Sequence, residues 1–436
     1  MKALVLRTAC CCLLGSVAAN AGAADAAKSR MDPAKFHIGA YGYHYPFLWT
    51  EEKVKELRDC GLDFVFGVPI QQRQVLDWLQ KYGLGCVAVG VTGIDHTKTS
   101  EELRAERPLD RYEADMDRFL KEQDHPAVWM LNLTDEPTAL GMDYIGEVCR
   151  MMLKKSPQTP PCVNLYPNYA RVVESEATVK ESQLGTRTYR EHIDVYCRTS
   201  PLDYISYDFY VMFDDPQDIR NWTKKMYDNY EIAAEVCRKT GRDLWYIPQV
   251  NVRPWCKVGM SANKLRYQAF TAMAYGAVSI NWACWGPFWW HGNVYDKQGV
   301  RDDALYGRLK EVNGEIRTIA SYFMNFRNVA THRIGGTDGN ADFGNGRVVG
   351  LKASDGSELL VGEMAARRPG ACESALFVVA AGDPTDERKA DHEIVFQSAH
   401  EVAAVGTTGK TEIRRDGSDR LSMTLKDNQC ALIIMR

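Results

Sequence analysis

Val128-Trp-Met-Leu-Asn132-Leu-Thr134-Asp135-Glu136-Pro137 is the stretch on which the fold reading turns. Its apolar run reads as a buried strand that stops at two acids and a proline, the residues favoured where a helix is about to begin. Amphipathic helical patterns flank it at 111–123 and 144–155, so the stretch is one strand of a βα series. Working outward, the same alternation fills residues 36 to about 325. The strands are expected at 36–43, 63–69, 86–93, 128–134, 162–166, 204–210, 244–250 and 277–282. Helices are expected at 51–59, 73–82, 111–123, 144–155, 188–197, 219–240, 264–275 and 305–323. Eight consecutive βα units predict a closed (β/α)8 TIM barrel. A doubly wound sheet would more often carry a glycine-rich phosphate loop after its first strand, and Tyr41-Gly42-Tyr43-His44-Tyr45 stands there instead.

After about residue 330 the pattern changes to short alternating runs at 347–352, 358–363, 375–380, 393–396, 410–414 and 430–435, separated by Gly, Asp and Asn. These predict a small antiparallel β-sandwich over 331–436 that packs on the barrel without forming the site. Lone carboxylates there, such as Glu363, read as solvated or edge-strand residues.

The chain has 436 residues, 45% hydrophobic and 25% charged, which suits one large and one smaller folded domain. A formal net charge of -4 with no basic run argues against nucleic acid as a partner. Lys2 and Arg7, the apolar stretch 8–19 and Ala21-Gly22-Ala23 read as an export signal over 1–23, placing the mature protein in the periplasm or outside the cell. The apolar stretch is shorter than the roughly 20 residues that span a bilayer, and no later segment qualifies. Lipid attachment at Cys10, Cys11 or Cys12 is disfavoured because Arg7 and Thr8 stand where a lipobox needs an aliphatic and a small residue. The other ten of the thirteen cysteines lack disulfide or CxxC spacing, and Cys86, Cys162 and Cys284 read as buried thiols in or beside strands. No histidine pair has ligand spacing, so neither zinc nor any other cofactor is expected.

In a TIM barrel the site lies where each strand ends. On strand four, period-two phasing aims Asn132, Thr134 and Glu136 at the barrel mouth and turns Asp135 the other way; the alternative is a helix N-terminal acid before Pro137. Strand six ends at Tyr207-Asp208-Phe-Tyr210, with Asp208 in the inward phase, either a site carboxylate or an acceptor for a barrel tyrosine. Strand seven ends at Gln249-Val-Asn251 and supplies amides but no acid. Strand eight runs into Trp282-Ala-Cys-Trp285-Gly-Pro-Phe288-Trp289-Trp290-His291, four of the ten tryptophans within nine residues. Buried together, these indoles would each need an N–H acceptor. On a loop they offer stacking faces, or else a structural plug at the rim. Rings and amides suit a sugar, and the candidate binding residues are Tyr43, His44, Asn132, Tyr166, Asn168, Tyr207, Tyr210, Gln249, Asn251, Trp282, Trp285 and Trp289.

An Asx-Glu-Pro strand four, a Tyr-Asp strand six and a Trp-rich strand-eight loop, followed by a β-sandwich, resemble the clan A glycoside hydrolases, including the cellulase-like and β-galactosidase-like families. The resemblance implies a carbohydrate substrate and Glu136 as general acid/base. Asp135 departs from the family's asparagine at that position, and Gln249 stands where the family has its nucleophilic glutamate. Three routes follow. Asp208 is the second carboxylate; or Asp135-Glu136 act as in the substrate-assisted hexosaminidases, which they also resemble; or catalysis is lost and the barrel only binds glycans.

Overall fold

In the computed structural model, residues 29–170, 179, 181–335, 343–344, 346–368, 373–385, 390–417 and 419–436 are described; the expected export signal over 1–23, with Cys10, Cys11 and Cys12, lies outside them. All eight expected strands form: β1 His37–Ala40, β2 Phe64–Pro69, β3 Gly85–Val89, β4 Val128–Asp135, β5 Pro161–Asn164, β6 Tyr204–Asp208, β7 Asp243–Ile247 and β8 Ala277–Trp282. They pair in parallel in the order β5-β4-β3-β2-β1-β8-β7-β6. The ring is brought together at β5 and β6 by a single bridge, Leu165 to Tyr207, with the Leu165 amide donating to the Ser206 carbonyl at 2.8 Å. The expected (β/α)8 barrel is therefore the fold, and its seam lies beside the site.

The helices are α1 Glu51–Asp59, α2 Arg73–Lys81, α3 Ser100–Glu106, α4 Leu109–Arg118, α5 Met142–Lys155, α6 Tyr189–Thr199, α7 Pro216–Thr240, α8 Ala262–Ala274 and α9 Asp303–Phe323. Their ends follow local chemistry. Thr188 and Glu191 form a capping box on α6, and Asp215 with Pro216 starts α7 three residues before the expected 219. Gly241 ends α7 in the left-handed conformation at φ 74°, which is strained for a residue with a Cβ. The short α3 was not expected, although Thr99-Ser-Glu-Glu102 is a capping-box signature and forms one.

Beyond the barrel lie β9 Phe326–Ile334, β10 Val349–Ala353, β11 Leu359–Ala366, β12 Ser374–Ala380, β13 Asp391–Gln397, β14 Val402–Gly406, β15 Gly409–Thr411, β16 Arg414–Asp416, β17 Arg420–Lys426 and β18 Cys430–Met435. Two antiparallel sheets result, β10-β13-β17-β16 and β15-β14-β18-β12-β11-β9. Alternation divides the second between two cores. Leu376 and Val378 meet Ile394, Phe396, Leu421 and Met423 of the first sheet, while Phe377 and Val379 join the barrel core, with Phe377 edge-on to Phe323 of α9 at 5.4 Å. Gly362 lets β11 approach α8, since a Cβ there would lie 2.2 Å from the Ala274 carbonyl oxygen. That carbonyl, at the end of α8, accepts from Asn328 Nδ2 at 3.0 Å. Glu363 corrects the expectation of a solvated acid: it is buried, accepts from the Gly344 amide at 3.1 Å and lies 3.4 Å from His332 Nε2.

Inside the barrel an aromatic column runs from Trp129 through Phe64 and Phe66 to Tyr41, with centroid spacings of 6.2, 5.1 and 5.1 Å, and reaches Trp289 at 5.9 Å. It fixes the floor of the barrel mouth.

Candidate active site

A cleft of about 410 Å3 opens at the C-terminal ends of the strands. The sequence around β4 aims two adjacent acids into it. The ladder between β4 and β5 slips between Asn132 and Thr134, and Glu136 follows with φ 48°, a left-handed conformation costly for a residue with a Cβ. The Glu136 amide donates to the Asn164 carbonyl at 2.8 Å, which holds the turn. The slip and the turn break the period-two phase. Asp135 and Glu136 both line the cleft, while Thr134 is buried outside the lining and donates to the Ile94 carbonyl at 3.2 Å. The expectation that Asp135 faces away is thus corrected.

Asp208, the last residue of β6, enters the same cleft. One amide organises the three acids. Ser206 Oγ donates to Asn164 Oδ1 at 2.8 Å, which turns Asn164 Nδ2 toward Asp135 Oδ1 at 3.1 Å and Asp208 Oδ1 at 3.0 Å. Tyr41 donates its hydroxyl to Asp135 Oδ2 at 3.0 Å. Glu136 and Asp208 are in hydrogen-bonding contact, which disfavours ionisation of Glu136. Burial, then the charges of Asp208 and Asp135, push the Glu136 carboxyl far above the usual carboxylate range. Asp208 is raised by burial and by Asp135, against the opposing bond from Asn164. Asp135 opens to the cleft yet is closely surrounded by protein, and that desolvation raises it despite its bonds from Asn164 and Tyr41. At neutral pH the group therefore holds a proton that three separate carboxylates would not.

Of the expected sugar-contacting residues, Tyr166, Tyr210 and Trp289 line the cleft. Nine others are elsewhere. Tyr43 is fully buried and donates to the Leu48 carbonyl at 2.7 Å. His44 sits behind the rim, edge-on to Phe288 at 4.6 Å, its pKa lowered by burial. Asn132 falls at the ladder slip and outside the lining. Asn168 joins the β5–α6 segment to α7, its backbone N–H donating to Asn229 Oδ1 at 2.6 Å and its Nδ2 to the Lys225 carbonyl at 2.8 Å. Tyr207 points outward against Tyr230 of α7 and Tyr246. Gln249 is buried and bonds the backbone of Met212 and Asn251. Asn251 donates to the Trp289 carbonyl at 2.8 Å and so positions the Trp loop without lining the cleft. Trp282 faces α9, donating to Asn313 Oδ1 at 2.8 Å, and Trp285 is buried against Tyr295 and Tyr306.

Lining residues that the sequence reading missed include Tyr41, Asn164 and Ile247, each at or one step beyond the end of a strand, and Arg253 on the loop after β7; Phe288 and Trp290 come from the Trp-rich loop after β8, which the sequence singled out as a stacking surface. The first three carry the strand-end signal that picked out Glu136. Ile247 matters most, because it is the cleft-facing end of β7, where an acid was sought and Gln249 considered.

No family model and no curated protein matches the chain. Among solved structures, it is similar to the beta-galactosidase from Bacillus circulans sp. alkalophilus over 92% of this chain and 99% of that one, at 10% identity and a TM-score of 0.57. It has the fold of a glycosidase barrel. The alpha-L-fucosidase isoenzyme 2 from Paenibacillus thiaminolyticus is similar over 92% and 99% of the two chains, at 8% identity and a TM-score of 0.51. At these identities the likeness is one of architecture, barrel and appended β-sheets alike.

Proposed function

We propose that this protein is a glycoside hydrolase for N-acetylated hexosaminides, with Glu136 as general acid/base and the substrate's own acetamido group as nucleophile. The observation that carries the reading is the contact between Glu136 and Asp208 beside Asp135, with Ile247 at the end of β7. A nucleophile or a base flanking the scissile bond needs its carboxyl about 5 to 5.5 Å, or about 6.5 to 9.5 Å, from that of the acid. A carboxyl in hydrogen-bonding contact with the acid is too close for either role. Asp208 instead keeps the proton on Glu136.

In the proposed reaction Glu136 gives its proton to the leaving oxygen as the C1–O bond breaks. The acetamido carbonyl oxygen forms a bond to C1, giving a cyclic oxazolinium, and Asp135 accepts a hydrogen bond from its N–H. Glu136 then takes a proton from the water that attacks C1, which restores the acetamido group and the acid. Trp289, Trp290 and Phe288 offer ring faces for the sugar. A second reading, a glycan-binding barrel without activity, draws on the same Ile247.

The test is a panel of glycosides with wild type and Glu136→Gln. The variant should lose at least about a hundredfold in kcat while still binding glycan, and a thiazoline analogue of N-acetylglucosamine should inhibit the wild type competitively. Equal hydrolysis of glycosides lacking the acetamido group would overturn the substrate-assisted route. Binding without hydrolysis across the panel would leave the binding barrel. Residues 1–23 further support export, with 36–325 carrying the site and 331–436 packed against it; among the described residues no helix is long and apolar enough to cross a membrane. Cell fractionation checks the export.

A further inference from the structure

Among the described residues lining the cleft, Arg253 is the one Lys, Arg or His side chain. It lies on the loop between β7 and α8, and its guanidinium rests on aromatic faces: Trp290 at 4.8 Å, Phe213 at 5.0 Å, Trp255 at 5.4 Å and Trp222 at 5.7 Å. Stacking of this kind uses the flat face of the guanidinium and leaves its five N–H groups, which lie in the plane, unsatisfied. Among the described residues no carboxylate pairs with Arg253, and its Nε is buried without a hydrogen-bond partner. A buried donor without an acceptor is costly. Arg253 therefore has a fixed orientation and free donors in a cleft whose acidic side chains are Asp135, Glu136 and Asp208.

We propose that Arg253 binds an anionic substituent, a carboxylate or a sulfate, on the glycan in the cleft, so that the natural substrates are acidic glycans. The proposal rests on reading the cleft as a glycan site. The planar fork of N–H donors matches the paired oxygens of either oxyanion, which hydroxyls of a neutral sugar do not reproduce. The anion sits on the side of the cleft formed by the loop between β7 and α8, and this fixes which way round the sugar enters. Trp255, 65% exposed, and Phe288, 49% exposed, extend the aromatic rim from Arg253 outward, so that neighbouring sugar rings have surfaces to stack on.

The test measures binding by calorimetry in the Glu136→Gln background, with Arg253 intact, changed to Met, or changed to Lys. The probes are uronate-bearing glycosaminoglycan oligosaccharides, the same oligosaccharides with their carboxyls reduced to alcohols, and carboxyl-reduced oligosaccharides carrying a sulfate ester. With Arg253 intact, at least one anionic class should bind about tenfold or more tightly than its neutral match, and the preference should shrink as salt is raised. The first class against the second isolates carboxylate, and the third against the second isolates sulfate. Arg253→Met should abolish the preference, and Arg253→Lys should keep only part of it. Equal binding of neutral and anionic members, or no binding of any anionic member, overturns the proposal. So does a preference that survives in Arg253→Met. A purely structural Arg253 would instead lower Tm and weaken neutral and anionic binding alike. Hydrolysis of neutral glycans with no charge preference would sink this inference and leave the hydrolase reading intact. Arg253-dependent binding of anionic glycans that wild type never cleaves would do the reverse.

Discussion

Two aspartates at opposite ends of the barrel, Asp63 half-buried and Asp208 buried, show how the same side chain is used for stability and for chemistry. Asp63, just before β2 at the closed end, accepts from the Ile38 amide at 2.8 Å, lies 2.7 Å from Arg317 of α9 and has His37 at 3.7 Å. Burial opposes its ionisation, but His37, Arg317 and the Ile38 amide outweigh that and hold its pKa below the usual carboxylate range. Asp208, at the open end, has one amide and two further acids for company, and its pKa is raised. One carboxylate is charged and compensated; the other is placed where charge is disfavoured. The contrast identifies the mouth as the working end more firmly than its rings do, because aromatic faces also meet at the base, where Tyr204 stacks on Trp245 at 4.2 Å.

The sharpest way to break this contrast is Asp208→Asn. Without the neighbouring charge the Glu136 carboxyl titrates lower, so less of it is protonated at pH 7, and the alkaline limb of the pH–rate profile should move toward acid. A fall of about ten- to hundredfold in kcat/KM at pH 7, partly recovered at lower pH, is expected. Stability should move the other way. A carboxyl whose folded pKa is raised costs stability at every pH above its unfolded value and stops costing it as the pH falls below that value. Asp208→Asn should therefore raise Tm at neutral pH, and the gain should vanish below about pH 4. A variant that loses both activity and stability would mean that Asp208 is a structural acid like Asp63.

Arg317→Met probes the closed end. It should destabilise by about 1–2 kcal/mol, seen as a fall of a few degrees in Tm, with kcat per folded molecule unchanged. Since the Asp63 pKa is depressed in the folded state, its contribution is present above the unfolded value near 4 and is lost as the pH falls through the folded value. The gap between wild type and Arg317→Met should accordingly close on acidification. Loss of turnover without loss of stability would show that the two ends are coupled.

The barrel was legible because its strands are buried on both faces and its helices are amphipathic, so the change of period marks each unit. Glu136 and Asp208 were legible because strand ends define the mouth. What misled was the strand length. The sequence predicts strands out to residues 43, 210 and 250, whereas β1, β6 and β7 stop at Ala40, Asp208 and Ile247. Past those points the chain turns out of the sheet and alternation no longer says which way a side chain faces. Tyr41 and Ile247 took the places in the cleft that had been assigned to Tyr43 and Gln249. At β4 the slip and the left-handed Glu136 did the same within one strand. In the β-sandwich the run at 410–414 splits into β15 and β16, which belong to different sheets, because a turn after Thr411 carries the chain across. β9 was missed since buried Phe326 and Ile334 stand only at its ends and its exposed positions include Arg327 and Arg333. β17 shows clean alternation of buried Leu421, Met423 and Leu425 that the sequence contains and the reading passed over.

The smallest effect makes the finest test of the contrast. Tyr41→Phe keeps the ring packed between Phe66 at 5.1 Å and Trp289 at 5.9 Å and removes only the hydroxyl that donates to Asp135 Oδ2 at 3.0 Å. If Asp135 orients a reacting group, the loss of one of its two donors lets the carboxylate swing and raises its affinity for a proton, since that bond favours the charged form. Asn164 still holds Oδ1 at 3.1 Å, so the carboxylate stays in the cleft. The expected result is a fall of about three- to tenfold in kcat with KM little changed, because a hydrogen bond to an ionised group in a site open to solvent is worth about 1 kcal/mol. Tm should stay within a degree or two of wild type. A drop in Tm of several degrees with kcat intact would put the Tyr41–Asp135 bond in the same class as the contacts that hold Asp63, and the distinction between the two ends of the barrel would have to be redrawn around Glu136 and Asp208 alone.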